Sequence, residues 1–272
     1  MTEHQGHEPR PGAPAPGVQG PARQGPASGP PSQPAADDAA EYEAWLGRSR
    51  VMLTPIAAPS ILGLFGYAAS TFMVASNLAG WWGDRLFSPI ILAPLVIFFG
   101  GVAQLAAAMW AYRARDAVAT AMHGTWGAFW LAWGMMQLMV AGGLLPINTS
   151  LSEGFGFWWI GLALTTLFAA LGALGRNLGM FLTLILLAAG SALLAAGILA
   201  AASSLVTAGG WVLVASSAAA FYTAGAMMLE ESFGGRVVLP LGRWSLRGNL
   251  PGHRTTRPFE YAAGMPGLRA GQ

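Results

Sequence analysis

The chain has 272 residues, 54% of them hydrophobic and only 10% charged, with a formal net charge of +2. Soluble domains carry roughly 25% charged residues, so this deficit argues against an ordinary soluble domain and for a lipid bilayer as the solvent. Cysteine is absent, which excludes disulfides, thiolate metal sites and cysteine nucleophiles. All 14 basic residues are arginine, and their loop positions give the high isoelectric point a topological meaning, with no nucleic-acid partner expected.

Residues 1–36 are rich in Pro, Gly, Ala and Gln and show no apolar period. Such a segment buries too little surface to offset its ordering entropy, so a disordered tail is expected, and it lacks the apolar core of a signal peptide. Residues 37–50 read as a short amphipathic helix with Tyr42, Trp45 and Leu46 on one side. That helix lies at the membrane surface or docks on the helices C-terminal to it.

Six apolar runs come next, each near the ~20 residues that cross a bilayer. They fall at about Ile61–Gly80, Pro89–Trp110, Thr120–Val140, Phe155–Leu174, Leu178–Ala200 and Gly209–Leu229. The predicted fold is therefore all-α: a polytopic membrane protein with six transmembrane helices in a bundle. Residues 51–242 form the membrane domain, and 243–272 a loose polar tail. Phe98 to Trp130 shows the plan most clearly, as two apolar helices joined by a short turn that carries Arg113, Arg115 and Asp116. A soluble hairpin would show polar residues every third or fourth position to face water.

Arginine placement sets the orientation. Arg48, Arg50, Arg113, Arg115, Arg176, Arg236, Arg243 and Arg247 all fall on one side, and Arg85 alone on the other. Positive charge belongs on the cytoplasmic side, so both termini are expected inside.

Titratable chemistry within the spans is sparse. Asp84, Asp116, Glu153, Glu230 and Glu231 lie at helix ends or loops. No carboxylate pair, Ser/His/Asp set or metal-ligand cluster can be assembled, so neither an enzyme nor a cofactor is expected. What remains is a pore or carrier for a small solute, working with aromatic, amide and backbone groups.

Pro55, Pro59, Gly63 and Gly66 cluster at the start of the first span. They read either as an irregular helix start whose free N–H groups face an anion, or as ordinary helix-start and helix-packing residues. Gln104 and Gln137 either line a pathway or bond across helices. Trp81, Trp82, Trp110, Trp158 and Trp211 sit near span ends, as interfacial anchors do. Trp126, Trp130 and Trp133 are spaced to share one helix face, where they form a constriction or simply pack. His123 is the histidine nearest a span, and its unperturbed pKa of ~6.5 makes it a proton candidate; the alternative is a residue that reaches headgroup water.

The order of several short motifs then resembles a known family. They are Leu62-Gly63-Leu64-Phe65-Gly66, Phe99-Gly100-Gly101-Val102-Ala103-Gln104, Met109-Trp110 and Gly127-Ala128-Phe129-Trp130, followed by Ala208-Gly209-Gly210, Phe221-Tyr222 and Leu239-Pro240-Leu241-Gly242. Together they are similar to the acetate uptake transporters, also called succinate–acetate permeases or YaaH-like proteins. The resemblance covers about residues 59–242 and implies a six-helix plasma-membrane protein, usually hexameric, that moves acetate and related short carboxylates, often with protons. It also implies an apolar constriction formed by Trp126, in place of the family's Tyr, with Leu187 and an aromatic, Phe155 or Phe157.

Three motifs depart from the family pattern. The opening Asn-Pro-Ala-Pro-Leu-Gly appears as Ala58-Pro59-Ser60-Ile61-Leu62-Gly63, the acidic residue after Met-Trp is Ala111, and the Asn of the next turn is Asp116. The expectation is transport of acetate or a similar monocarboxylate, coupled to protons. Pro59, Ser60, Gly63 and Gln104 would supply polar contacts, Trp126, Leu187 and Phe155 the gate, and Arg113 and Arg115 the cytoplasmic mouth. The alternatives are a passive anion channel, an ammonium or ammonia exporter, and a membrane protein without transport.

Overall fold

The structure is a computed structural model that describes residues 56–85, 87–146, 149–245 and 249–252. The expectations for residues 1–36 and 37–50, with Arg48, Arg50 and Pro55, lie outside these, as do Arg247 and the tail beyond 252. From residue 56 onward the chain is helical: α1 (Pro59–Leu78), α2 (Ser88–Arg113), α3 (Ala117–Ala141), α4 (Thr149–Ala173), α5 (Leu178–Leu199) and α6 (Ser203–Ser232).

Each expected apolar run is one of these helices, with ends moved by a few residues. Five are long and apolar enough to cross a membrane, α4 from Ser152 onward. The exception, α3, is not short: its 25 residues span roughly 37 Å at 1.5 Å per residue. Its sequence carries three tryptophans, His123 and Gln137, which lower its mean hydropathy. Most of these side chains are turned inward: His123, Trp126, Trp130 and Trp133 are all buried. A helix enclosed by other helices needs less apolar surface than one that faces lipid.

The ends of the helices alternate between two faces. The start of α1 and the end of α6 meet on one of them, where the backbone N–H of Ala58 donates to Glu231 Oε1 at 2.9 Å. The α2–α3 and α4–α5 turns lie on that same face, joined by the ion pair between Arg176 and Asp116. Asp116 also caps α3, its Oδ1 accepting from the Ala119 N–H at 2.8 Å, and so satisfies an N–H that the helix leaves without a partner.

The first turn of α5 is closed by a later segment. Asn177 Oδ1 accepts from the Met180 N–H at 2.8 Å. The N–H groups of Leu178 and Gly179 donate to the carbonyls of Gly242 and Leu241, each at 3.0 Å. Gly242 has a φ of +71° and no room for a β-carbon beside Leu178, so the Leu-Pro-Leu-Gly motif is a capping device. Arg243 fastens it to α6, its Nη2 donating to both carboxylate oxygens of Glu230 at 2.9 and 2.7 Å.

One feature of α2 is absent from the apolar pattern. Val96–Ala103 is a π-helical stretch inside it, two residues after Pro94, which lacks an N–H. Wide turns of this kind add a residue to the helix and rotate its C-terminal part about the axis. The motif glycines sit here at close approaches. A β-carbon on Gly66 of α1 would lie 2.6 Å from the Phe99 carbonyl oxygen, and one on Gly100 would lie 2.8 Å from the Trp130 ring. Small residues thus bring α1, α2 and α3 together, as helices in lipid require, and Gln104, just past the wide turn, is carried into the core at 1% exposure.

Candidate functional site

Three cavities succeed one another between α1, α3, α4 and α5. Ser60, Tyr67, Gln104, His123, Trp126 and Leu187 are among the residues that line the first, with Asp116 and Arg176 also on its wall. The second is lined by Thr71, Trp126, Trp130, Trp159 and Leu187, among others. Val74, Arg85, Trp133, Gln137, Phe155 and Trp159 help to line the third. Along α1 the wall residues ascend from Ser60 to Leu78, along α3 from Val118 to Gln137, and along α5 from Met180 to Ile198. A monotonic order on three helices means that the cavities lie in series along the helix axes, from the Arg176 face to the Arg85 face.

The series is narrow over its first two cavities. The first and second cavities offer about 20 Å³ each to a water-sized sphere, against about 250 Å³ for the third. About 10–15 Å³ suffices for one water, so the inner two are single-molecule spaces. Trp126 and Leu187 border both of them. Trp126 is held in place: its indole N–H donates to Thr166 Oγ1 at 3.1 Å. Its ring stands edge-on to Tyr67 and Phe129 at centroid distances of 6.2 and 5.2 Å, an arrangement aromatic quadrupoles favour.

The polar groups on the wall fall into two kinds. Some are committed: Tyr67 OH is 2.7 Å from Ser216 Oγ, which itself donates to the Thr183 carbonyl at 2.7 Å, so Tyr67 is the donor of that pair. Others have no partner among the described residues, notably Gln104 Nε2 and the indole nitrogens of Trp130 and Trp159. A buried donor without an acceptor is costly and calls for an explanation.

The predicted site residues divide accordingly. Ser60, Gln104, His123, Trp126 and Leu187 line one cavity. Gly63 lies beside it, where its missing β-carbon leaves room for the His123 ring. Pro59 instead borders an outer groove with Leu62, Phe65 and Trp110. Phe155 lies on the third cavity, stacked against Phe129 and edge-on to Trp159, which stands between it and Trp126; Phe157 is exposed.

Arg113 and Arg115 line none of these three cavities. Arg113 rests over the exposed Trp110 ring at 5.5 Å, Arg115 sits in the turn at a φ of 56°, and the cation at the first cavity is Arg176. Tyr67, Thr71 and Trp159 also belong to the walls, although the sequence does not single them out. The α1 pair was accessible as Ser60, Leu64, Tyr67 and Thr71, at spacings of four, three and four, which is one helix face. Trp159 carries no such signal, because apolar residues surround it on every side of α4.

These features define a multi-pass membrane protein with a series of aromatic-lined cavities between its helices. The chain belongs to the GPR1/FUN34/yaaH family, whose family model matches residues 46–241. The solved structure of the bacterial acetate channel SatP superimposes with a TM-score of 0.63 at 28% identity, covering 69% of this chain and all of that one. Among curated relatives, the succinate-acetate/proton symporter SatP of Escherichia coli is 31% identical over 123 residues, 44% of this chain and 61% of the relative. Ammonia transport outward protein 2 of Saccharomyces cerevisiae is 27% identical over 155 residues, 54% of each chain. The matches thus span only about half to three-fifths of these curated relatives.

Proposed function

We propose that this protein carries acetate and similar short monocarboxylates across the plasma membrane, with both termini in the cytoplasm, and that proton movement accompanies the substrate. The observation that carries this reading is the run of three cavities through one chain, narrowed by Trp126 and Leu187. Apolar walls of this width favour a small, partly dehydrated acid over larger charged metabolites. Two relatives are named for acetate, and none of the three reported is named as an enzyme.

In this proposal Ser60, Gly63 and Gln104 serve the first cavity, and Pro59 sets the start of α1. Trp126 and Leu187 form the gate, and Phe155 supports it through Trp159. His123 is the proton-carrying group, sharing its cavity with Asp116 and Arg176. Arg113 and Arg115 attract anions from the surrounding face, and Arg176 stands at the opening itself. The tail at 1–36, the surface helix at 37–50, the transport domain at 51–242, the tail at 243–272 and assembly into a homo-oligomer, a hexamer, belong to the same reading.

Labelled-acetate uptake into proteoliposomes, with and without an inward proton gradient, tests it. Uptake above empty vesicles, accumulation driven by the gradient, and competition by lactate over ammonium are expected. A second reading, a passive acetate channel, is favoured by the name of the solved relative; it gives equilibration without accumulation. Replacing His123 with Phe then decides the proton role: the pH profile of uptake between about pH 5 and 8 changes if His123 titrates in the cycle, and an unaltered profile removes it from the mechanism.

A further inference from the structure

The third cavity differs from the other two in size and in charge. Arg85 is the sole arginine on its face of the described helices, and no carboxylate among the described residues pairs with it. Its Nη2 donates to the Leu78 carbonyl at 2.7 Å and to Thr207 Oγ1 at 2.5 Å. A guanidinium has five N–H donors, so Nε and Nη1 keep theirs. Gln137 borders the same space. At the inner end is Trp159, 6% exposed, with an indole N–H that has no acceptor among the described residues. Trp159 borders both this cavity and the second one. The remaining wall is apolar, including Phe155, Leu194 and Ile198.

We infer that Arg85, Gln137 and the Trp159 indole N–H form an outer vestibule that binds the carboxylate of short monocarboxylates, including ones that cross the inner cavities more slowly than acetate. The inference rests on the proposed transport of such acids, and deepens it by naming the site that selects the substrate. The groups on offer are donors, which suit an acceptor-only carboxylate and not ammonium, which only donates. A single guanidinium matches one carboxylate, and the apolar wall takes an alkyl chain. Space falls from about 250 Å³ to about 20 Å³ at the next cavity. The inner cavities must widen for either acid to pass, and by more for four carbons than for two, so butyrate competes with acetate while crossing more slowly.

Isothermal titration of butyrate, acetate and methylammonium into purified full-length protein in detergent reads the vestibule without requiring transport. Butyrate binding with no methylammonium binding is expected. Arg85→Gln should weaken it about tenfold, the scale of one lost charge-assisted hydrogen bond, and Arg85→Lys should recover part of the loss. Trp159→Phe keeps an aromatic ring, removes only the N–H and should weaken binding a few-fold. Unchanged melting temperatures show that these variants are folded. In proteoliposomes the same variants should raise the acetate KM and the butyrate inhibition constant together.

Robust acetate uptake with the same KM and the same butyrate affinity in Arg85→Gln and Trp159→Phe would overturn the vestibule and leave transport standing. Arg85-dependent butyrate binding without any acetate flux would uphold the vestibule and overturn the transport reading. Methylammonium binding at the expense of butyrate would overturn the assignment of substrate class.

Discussion

The imidazole of His123 on α3 occupies the space that a β-carbon on Gly63 of α1 would need. The two helices are therefore in register at the first cavity, with a ring on one filling the gap left by the other. Gly63→Ala should force the ring aside and destabilise the protein by about 1–3 kcal/mol, the usual cost of overpacking. In the double variant with His123→Ala most of that loss should return, since the colliding ring is gone. Thermal unfolding of the four proteins in one detergent gives the coupling. Additive losses would show that the two residues do not meet.

Trp126 separates the first two cavities and is anchored by Thr166. Trp126→Phe should retain the barrier and lose only the hydrogen bond, about 1 kcal/mol. Trp126→Ala should join the cavities, at a cost of roughly 3–5 kcal/mol, and admit larger carboxylates. Flux of acetate against butyrate, measured on equal amounts of folded protein, checks this. Wild-type selectivity in the folded alanine variant would remove the gate role.

Asp116 has two jobs, capping α3 and pairing with Arg176. Asp116→Asn should keep the cap and lose the ion pair. With 40% of the Arg176 side chain and 18% of the Asp116 side chain exposed, solvent screening limits that loss to at most about 1 kcal/mol. Asp116→Ala loses the cap as well, at a further cost of about 0.5–2 kcal/mol. Melting temperatures should fall in the order wild type, Asn, Ala. Equal values for Asn and Ala would show that the cap contributes nothing.

Alternating helix direction fixes which loops share a side. Reporter fusions after Leu145 and after Ala202 should be extracytoplasmic, and one after Arg115 cytoplasmic, in line with the arginine bias. A cytoplasmic reporter at Leu145 would break the alternation.

The sequence alone determined the class, the six helices and their order, because in a bilayer each spanning segment must satisfy its own backbone, and so announces itself as a local apolar run. It also placed Trp126, Trp130 and Trp133 on one face, since 3.6-residue periodicity is a local property. Only the tertiary structure decided which polar groups meet. The π-helical stretch at Val96–Ala103 rotates Gln104 into the core by an offset that no apolar pattern records. Arg176, read along the chain as one more topological charge, reaches the first cavity because Asp116 lies opposite it, 60 residues away. Trp159 comes between Phe155 and Trp126 because α4 packs across α3 at that level. The tryptophan, lying on a helix that is apolar all round, has no periodicity from which its inward direction could be read.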